Sequence, residues 1–202
     1  MANLFLNDVF WTIQGEGFHA GRRALFVRMP HCNLSCSWCD TTFDTHEKWT
    51  EEQLSDFSER EPSGFAVITG GEPTMHKHTP KVVEILKGDG FYVAVETNGT
   101  FKLPCDFDFV TCSPKRDAGY AIHEETFNKV NEFKYVVDKN FDFSILERHQ
   151  PHLQMNPHPT IHHSLSPEFT DFDDNVEAII EFMKHNFGWK LSLQTHKWIG
   201  VP

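Results

Sequence analysis

Short β-type runs that alternate with helix signals over 202 residues predict an α/β protein: a parallel sheet wound as an incomplete, TIM-like barrel. Three observations carry this. Residues 24–29, 65–69, 91–95, 107–111 and 132–137 are β-type runs of strand length, rich in Val, Ile, Phe or Tyr. Helix signals separate only some of them. A full eight-fold barrel usually needs about 250 residues, so crossover helices must be shortened or missing. With 39% apolar residues, 19 of them Phe, the chain can bury a sizeable core, and one domain over residues 1–202 is expected.

Taken in order, residues 24–29 form a strand that runs into a cysteine-containing loop. Thr50-Glu-Glu-Gln53 reads as a capping box opening a short helix. After the buried strand at 65–69, Thr79-Pro80 starts a helix with Val82, Val83, Ile85 and Leu86 inward, ended by Gly88 or Gly90. Strands at 91–95, 107–111 and 132–137 follow. A last helix runs from Asp173 or Asp174 to His185 with Gly188 as its stop, before a final strand at 189–193. Residues 151–166, rich in Pro and His, read as an irregular loop.

A formal net charge of −11 argues against a nucleic-acid surface, which needs clustered Lys and Arg. No 18-residue apolar run marks a membrane span, and the first residues lack the basic flank and apolar stretch of a signal peptide. Five cysteines, three of them clustered, do not make a disulfide framework, and thiolate ligands suit a reducing compartment; a cytoplasmic location is expected. Cys105 and Cys112 read as buried small apolar residues. Arg22, Arg23 and Arg28 form the compact basic group expected near the cysteine loop.

That loop reads Cys32-Asn-Leu-Ser-Cys36-Ser-Trp-Cys39. Three thiolates can hold three irons of a [4Fe-4S] cluster and leave the fourth open to a small molecule. A structural zinc with one of 13 histidines as fourth ligand is the alternative. In α/β sheets functional groups gather at the carboxyl ends of strands. Thr69-Gly-Gly-Glu-Pro73, Glu96-Thr-Asn-Gly99, Ser113-Pro-Lys115 and Gln194-Thr-His-Lys197 all follow strands, so they should converge on one mouth with the cysteine loop. Gly70 and Gly71 let backbone approach a ligand closely, and Glu72 can accept from an ammonium group.

The C-x3-C-x2-C spacing resembles the radical S-adenosylmethionine (SAM) superfamily, and Gly70 to Pro73 resemble its glycine-rich segment for the methionine amino group. Ile13-Gln-Gly-Glu-Gly17, Gly21, Phe26-Val-Arg28, Asp40-Thr41 and Leu193-Gln-Thr-His-Lys197 narrow the likeness to the 7-carboxy-7-deazaguanine synthases, from about residue 8 to the last residue. The resemblance implies a lyase that converts 6-carboxy-5,6,7,8-tetrahydropterin to 7-carboxy-7-deazaguanine plus ammonia in 7-deazapurine (queuosine and preQ0) biosynthesis. In the family reaction SAM is cleaved to a 5'-deoxyadenosyl radical that takes hydrogen from C6 of the pterin and returns it. SAM is therefore a cofactor, not a consumed substrate.

By the same resemblance, Cys32, Cys36 and Cys39 hold the cluster. Trp38, Asp40, Gly70, Gly71, Glu72, Ser113, Pro114 and Lys115 hold SAM. Ile13, Gln14, Gly15, Glu16, Arg28, Thr69, Glu96, Asn98, His196 and Pro202 meet the substrate, with Glu16, Glu96 and His196 closest to its chemistry. Thr41 carries Mg2+ beside the substrate carboxylate. The residue types agree, since carboxylates suit the donors of a pterin edge and Arg28 suits a carboxylate or ring carbonyl. Arg28 as a solvated strand end and His196 as a satisfied histidine of a C-terminal turn are the plainer readings. One departure is Leu153-Gln-Met-Asn-Pro157, where relatives carry Gln-Pro; Gln154 is the candidate SAM contact, and His158, His162 and His163 read as loop residues rather than ligands. A glycyl-radical activating enzyme and a non-enzymatic redox or zinc module are the rival readings. Expected partners are a flavodoxin or ferredoxin, docking near Arg22 and Arg23, and a second copy in a homodimer.

Overall fold

The computed structural model describes residues 3–43, 45–60, 64–147 and 161–202. Its elements are β1 (Asn3–Leu6), β2 (Asp8–Ile13), β3 (Arg23–Met29), β4 (Glu47–Thr50), α1 (Glu51–Glu59), β5 (Phe65–Gly70), α2 (Thr79–Gly88), β6 (Tyr92–Thr97), β7 (Phe109–Cys112), α3 (Glu124–Phe127), β8 (Glu132–Val137), β9 (His162–Pro167), α4 (Phe172–His185), β10 (Trp189–Leu191) and α5 (Thr195–Ile199). The main sheet has the order β10-β9-β8-β7-β6-β5-β3-β2. All of its pairings are parallel except β2 with β3. A second, two-stranded antiparallel sheet joins β1 to β4.

The expected crossover helices are indeed uneven. α2 and α4 are full helices, α3 is a single turn, and β6 runs to β7 with no helix between. The capping box forms as read, Gln53 N donating to Thr50 Oγ1 at 3.1 Å and Thr50 N to Gln53 Oε1 at 2.8 Å. α2 starts at Thr79, and Val82, Val83 and Leu86 are buried on its inner side.

Parallel strands covered on both faces alternate between two interiors. Outward residues Leu25, Val27, Met29, Ala66, Ile68 and Val93 pack beneath α1 and α2. Val110, Phe133, Tyr135, Val137 and Leu165 pack with Ile179 of α4. Inward residues Ala24, Phe65, Val67, Ala94 and Phe109 fill the lower half of the barrel.

Some expectations on the elements change. Residues 162–167 are strand β9, paired in register with β8 from Glu132↔His162 to Val137↔Pro167, rather than the end of a loop. His162 and His163 are therefore strand residues. Histidine is a weak strand signal, and pairing with β8 overrides it. Gln154 and His158 lie outside the described residues. The strands β1, β2, β4 and the helix α5 are additional. Arg22 and Arg23 stand at the start of β3, whereas the cysteine loop follows its end, about 20 Å away for a seven-residue strand. They do not form one group with Arg28 near that loop, and the docking place expected there for an electron donor falls at the wrong end of the barrel. Arg22 lies over the Phe65 ring at 4.0 Å and Arg23 over Trp11 at 5.5 Å.

Candidate active site

The sheet does not close by strand pairing between β2 and β10; segments that follow these strands do it instead. Thr195 N and Oγ1 both donate to Gly15 O, at 3.1 and 2.9 Å, and Gly17 N donates to Ser192 Oγ at 2.8 Å. A Cβ on Gly15 would lie 2.1 Å from His196 Nδ1, so only glycine lets the imidazole seat there. Two polar motifs 180 residues apart thus form one seam.

The cysteine loop is fixed by the glycine-rich turn. Gly71 N donates to Met29 O and Glu72 N to His31 O, both at 2.9 Å. A Cβ on Gly71 would meet His31 O at 1.6 Å, so this backbone-to-backbone approach requires glycine. Glu72, 1% exposed, accepts at Oε1 from Thr74 N, Thr74 Oγ1 and Thr97 Oγ1, and at Oε2 from Asn98 N at 2.7 Å. It braces the ends of β5 and β6, with acceptor capacity left on Oε2.

A cavity of about 720 Å³ opens at the carboxyl ends of the strands. Its wall includes Cys32, Cys36 and Cys39, then Trp38, Asp40, Thr41, Gly70, Gly71, Glu72, Ser113 and Lys115 on one side. Ile13, Gln14, Gly15, Glu16, Arg28, Thr69, Glu96, Asn98, His196 and Pro202 also line it. Of the described residues expected at the site only Pro114 is off this wall, and it is buried. His196 sits on α5, in the first turn after Gln194, rather than on the last strand.

Among the described residues no three His, Cys, Asp or Glu side chains are gathered around a single point. Three thiols on one loop beside a cavity fit a cluster, where each thiolate meets its own iron. Burial raises the Cys36 thiol to about 11, with Asp117 adding to it against the pull of Lys115.

The cavity floor carries a charge network. Lys134 of β8 donates to Glu16 Oε2 at 2.7 Å and Glu96 Oε2 at 3.2 Å. Gln14 Nε2 donates to Glu96 Oε1 at 2.8 Å, and Gln194 Nε2 to Glu16 Oε1 at 2.9 Å and Asp40 Oδ2 at 3.3 Å. Burial alone would raise the Glu16 carboxyl, but Lys134 and the hydrogen bonds from Lys134 and Gln194 bring it down to about 2. Burial likewise disfavours the Lys134 cation, and Glu16 and Glu96 more than reverse that, so it stays charged. Lys115, which donates to Ser113 Oγ, is lowered by burial and by the Lys134 cation. Arg28 has a buried Nε with no hydrogen-bond partner and a guanidinium 5.0 Å above the Phe10 ring.

Sequence reasoning missed Lys134 and the role of Gln194. The signal for Lys134 was there: in Glu132-Phe-Lys-Tyr-Val-Val137 charged and aromatic residues alternate, so the charges share one face of a strand buried on both sides. Glu132, on that same inner face, accepts from Phe18 N, Thr111 Oγ1 and Ser164 Oγ and so ties the seam loop to three strands.

A partial barrel whose mouth holds a three-cysteine loop strapped to a Gly-Gly-Glu-Pro turn has the build of a radical SAM protein, and the family model described as Radical SAM superfamily matches residues 26–104. The 7-carboxy-7-deazaguanine synthase of Haemophilus influenzae is 32% identical, the match covering 98% of this chain and 94% of that protein. That of Bacteroides thetaiotaomicron is 34% identical, with 97% of each covered. The crystal structure of QueE from Escherichia coli superposes with a TM-score of 0.78 at 27% identity, over 95% of this chain and 93% of that one. Streptococcus suis SuiB bound to S-adenosylmethionine shares the fold, with a TM-score of 0.54 at 10% identity over 82% of this chain and 48% of that one. The chain belongs to the 7-carboxy-7-deazaguanine synthase family.

Proposed function

We propose that this chain, acting as one radical SAM domain, is a lyase that converts 6-carboxy-5,6,7,8-tetrahydropterin to 7-carboxy-7-deazaguanine and ammonia in its barrel mouth. The observation that carries this reading is the meeting of three free thiols, a charge network with spare carboxylate acceptors, and the unpartnered Arg28 Nε on one cavity.

Cys32, Cys36 and Cys39 would hold a [4Fe-4S] cluster, which with SAM supplies the hydrogen-abstracting radical when both are bound. Trp38, Asp40, Gly70, Gly71, the free lone pair of Glu72, Ser113 and Lys115 form the wall that would hold SAM, with Pro114 buried between the last two. The Lys115 ammonium lies 4.9 Å over the Trp38 ring, which braces both. Glu16 and Glu96 accept hydrogen bonds from the amino and ring N–H groups of the pterin, and Gln14 and Gly15 serve its mixed edge. Arg28 pairs with the substrate carboxylate and satisfies its own Nε in doing so. Ile13, Thr69 and Asn98 shape the wall around the ring, and His196, backed by Gly15, donates to it. Pro202, whose carbonyl accepts from Thr12 Oγ1 at 2.7 Å, covers the ring from the other edge of the sheet. Thr41 offers a hard oxygen for Mg2+ beside the substrate carboxylate, and Asp40 is held by Lys197 at 2.5 Å.

Among the described residues no helix is long and apolar enough to cross a membrane. A cytoplasmic enzyme that works as a homodimer and takes electrons from a flavodoxin or ferredoxin fits the chemistry, with the donor at the mouth, where Cys39 is exposed. The test is anaerobic incubation of reconstituted protein with SAM, Mg2+, dithionite and the pterin, read by mass. Formation of 7-carboxy-7-deazaguanine with SAM unconsumed supports the reading; 5'-deoxyadenosine without product overturns the substrate assignment.

A further inference from the structure

We propose that Lys134 is the positioning residue of the substrate pocket: its ammonium holds Glu16 and Glu96 together as a pair of ionised acceptors aimed at the donor edge of the pterin. The proposal deepens the function above and rests on it.

Hydrogen-bond accounting supports it. Glu16 Oε2 and Glu96 Oε2 each take a bond from Lys134 Nζ, while Gln194 and Gln14 occupy the Oε1 atoms. Each of these oxygens thus has one fixing contact and one lone pair left for a ligand. Two uses of the Lys134 ammonium leave its third N–H without a protein acceptor among the described residues. Lys134 is 4% exposed, yet it lines the cavity. Its stem rises from the middle of β8, a rigid central strand whose Glu132 fixes the seam loop that carries Glu16. One strand therefore sets both the place of Glu16 and the charge of the pair.

A buried cation between two carboxylates is more than packing. Without it, two carboxylates that face one point have no cation between them, and protonation of either turns an acceptor into a donor. A donor facing the N–H edge of a pterin leaves both groups unsatisfied. Loss of Lys134 should therefore weaken substrate binding most at low pH and least where the pair is fully deprotonated. Among the described residues, other charged groups around this pair include Lys115 after β7, His196 on α5, Asp40 through Gln194, Glu132 on β8 itself and Arg28 of β3 on the same cavity wall. All of them are kept in the variants, so the difference from wild type isolates Lys134.

The experiment is anaerobic equilibrium binding of 6-carboxy-5,6,7,8-tetrahydropterin to the reconstituted, SAM-loaded protein between pH 6 and 9, without reductant. Wild type, Lys134→Met, Lys134→Gln and Lys134→Arg are compared. The expected result for Met and Gln is a loss of roughly hundredfold at pH 6 that shrinks to roughly tenfold by pH 9. Arg restores binding to within about fivefold, and cluster absorbance and SAM affinity stay at wild-type values. In turnover the same loss enters KM rather than kcat. A loss equal at every pH and not rescued by Arg assigns Lys134 to packing and overturns the proposal, as does wild-type binding in the Met and Gln variants. A wild type that binds SAM but no pterin overturns the function on which the proposal rests, and the proposal with it.

Discussion

The two ends of the barrel are built on the same strands and differ in almost everything else. At the amino ends, Phe65, Phe109 and His162 point inward and are plugged from below by Phe18 and His19: Phe18 stacks on His162 at 3.9 Å and on Phe109 at 5.5 Å, and His19 meets Phe109 at 4.4 Å. Four residues further along the same strands, the inward positions are Thr69, Ser113 and Ser166, all on the cavity wall. The seam loop serves both ends, since Gln14 to Glu16 face the cavity while Phe18 and His19 close the base. Aromatic burial at one end supplies stability that lets charged groups be held apart from water at the other.

Substitutions at the two ends should separate function from stability. At the mouth, Cys36→Ala should abolish product formation and the broad absorbance near 400 nm of an iron-thiolate cluster, with little change in the Tm of the cluster-free protein. At the base, Phe109→Ala should cost about 3–5 kcal/mol in denaturant unfolding, because a nearly buried ring leaves a cavity its neighbours fill only in part. Arg28→Met should lower kcat/KM about hundredfold, a loss of about 2.7 kcal/mol of transition-state binding, with Tm unchanged or raised because a buried unpartnered Nε is removed.

A smaller effect separates the ends by pH. Burial among the rings, then the Arg22 and His162 charges, lowers the His19 imidazole from 6.5 to about 4. The unfolded chain binds that proton more readily, so this part of the stability is present above pH 6.5 and is lost as pH falls from 6.5 through 4. His19→Leu should flatten the decline of Tm between pH 7 and pH 5 without changing kcat/KM. Smallest of all, Arg116→Ala, which breaks the partly exposed pair with Asp138, should shift unfolding by less than about 1 kcal/mol.

Much of this arrangement could be read in the chain. The strand at 132–137, the capping box at Thr50 and the start of α2 at Thr79-Pro80 follow from local patterns, and the polar segments after strands do converge on one mouth. The unread parts depend on distance. β1 pairs with β4 across more than 40 residues, and β2 takes its place by antiparallel pairing with β3. Arg22 and Arg28 are near in sequence but belong to opposite ends, because an extended strand separates its termini as fast as a chain can. Lys134 sits in a run read simply as a strand, and its meaning appears only when Glu16 and Glu96, 118 and 38 residues away, come to meet it.

If the pterin seats where the seam joins Gly15 to the Thr195–His196 segment, a side chain at position 15 should block turnover. The measurement is product formation by cluster-loaded Gly15→Ala, whose added Cβ would fall on the His196 ring. The rate expected from this seating is at least roughly hundredfold below wild type, with cluster absorbance and SAM binding intact. A wild-type rate from that variant would contradict it.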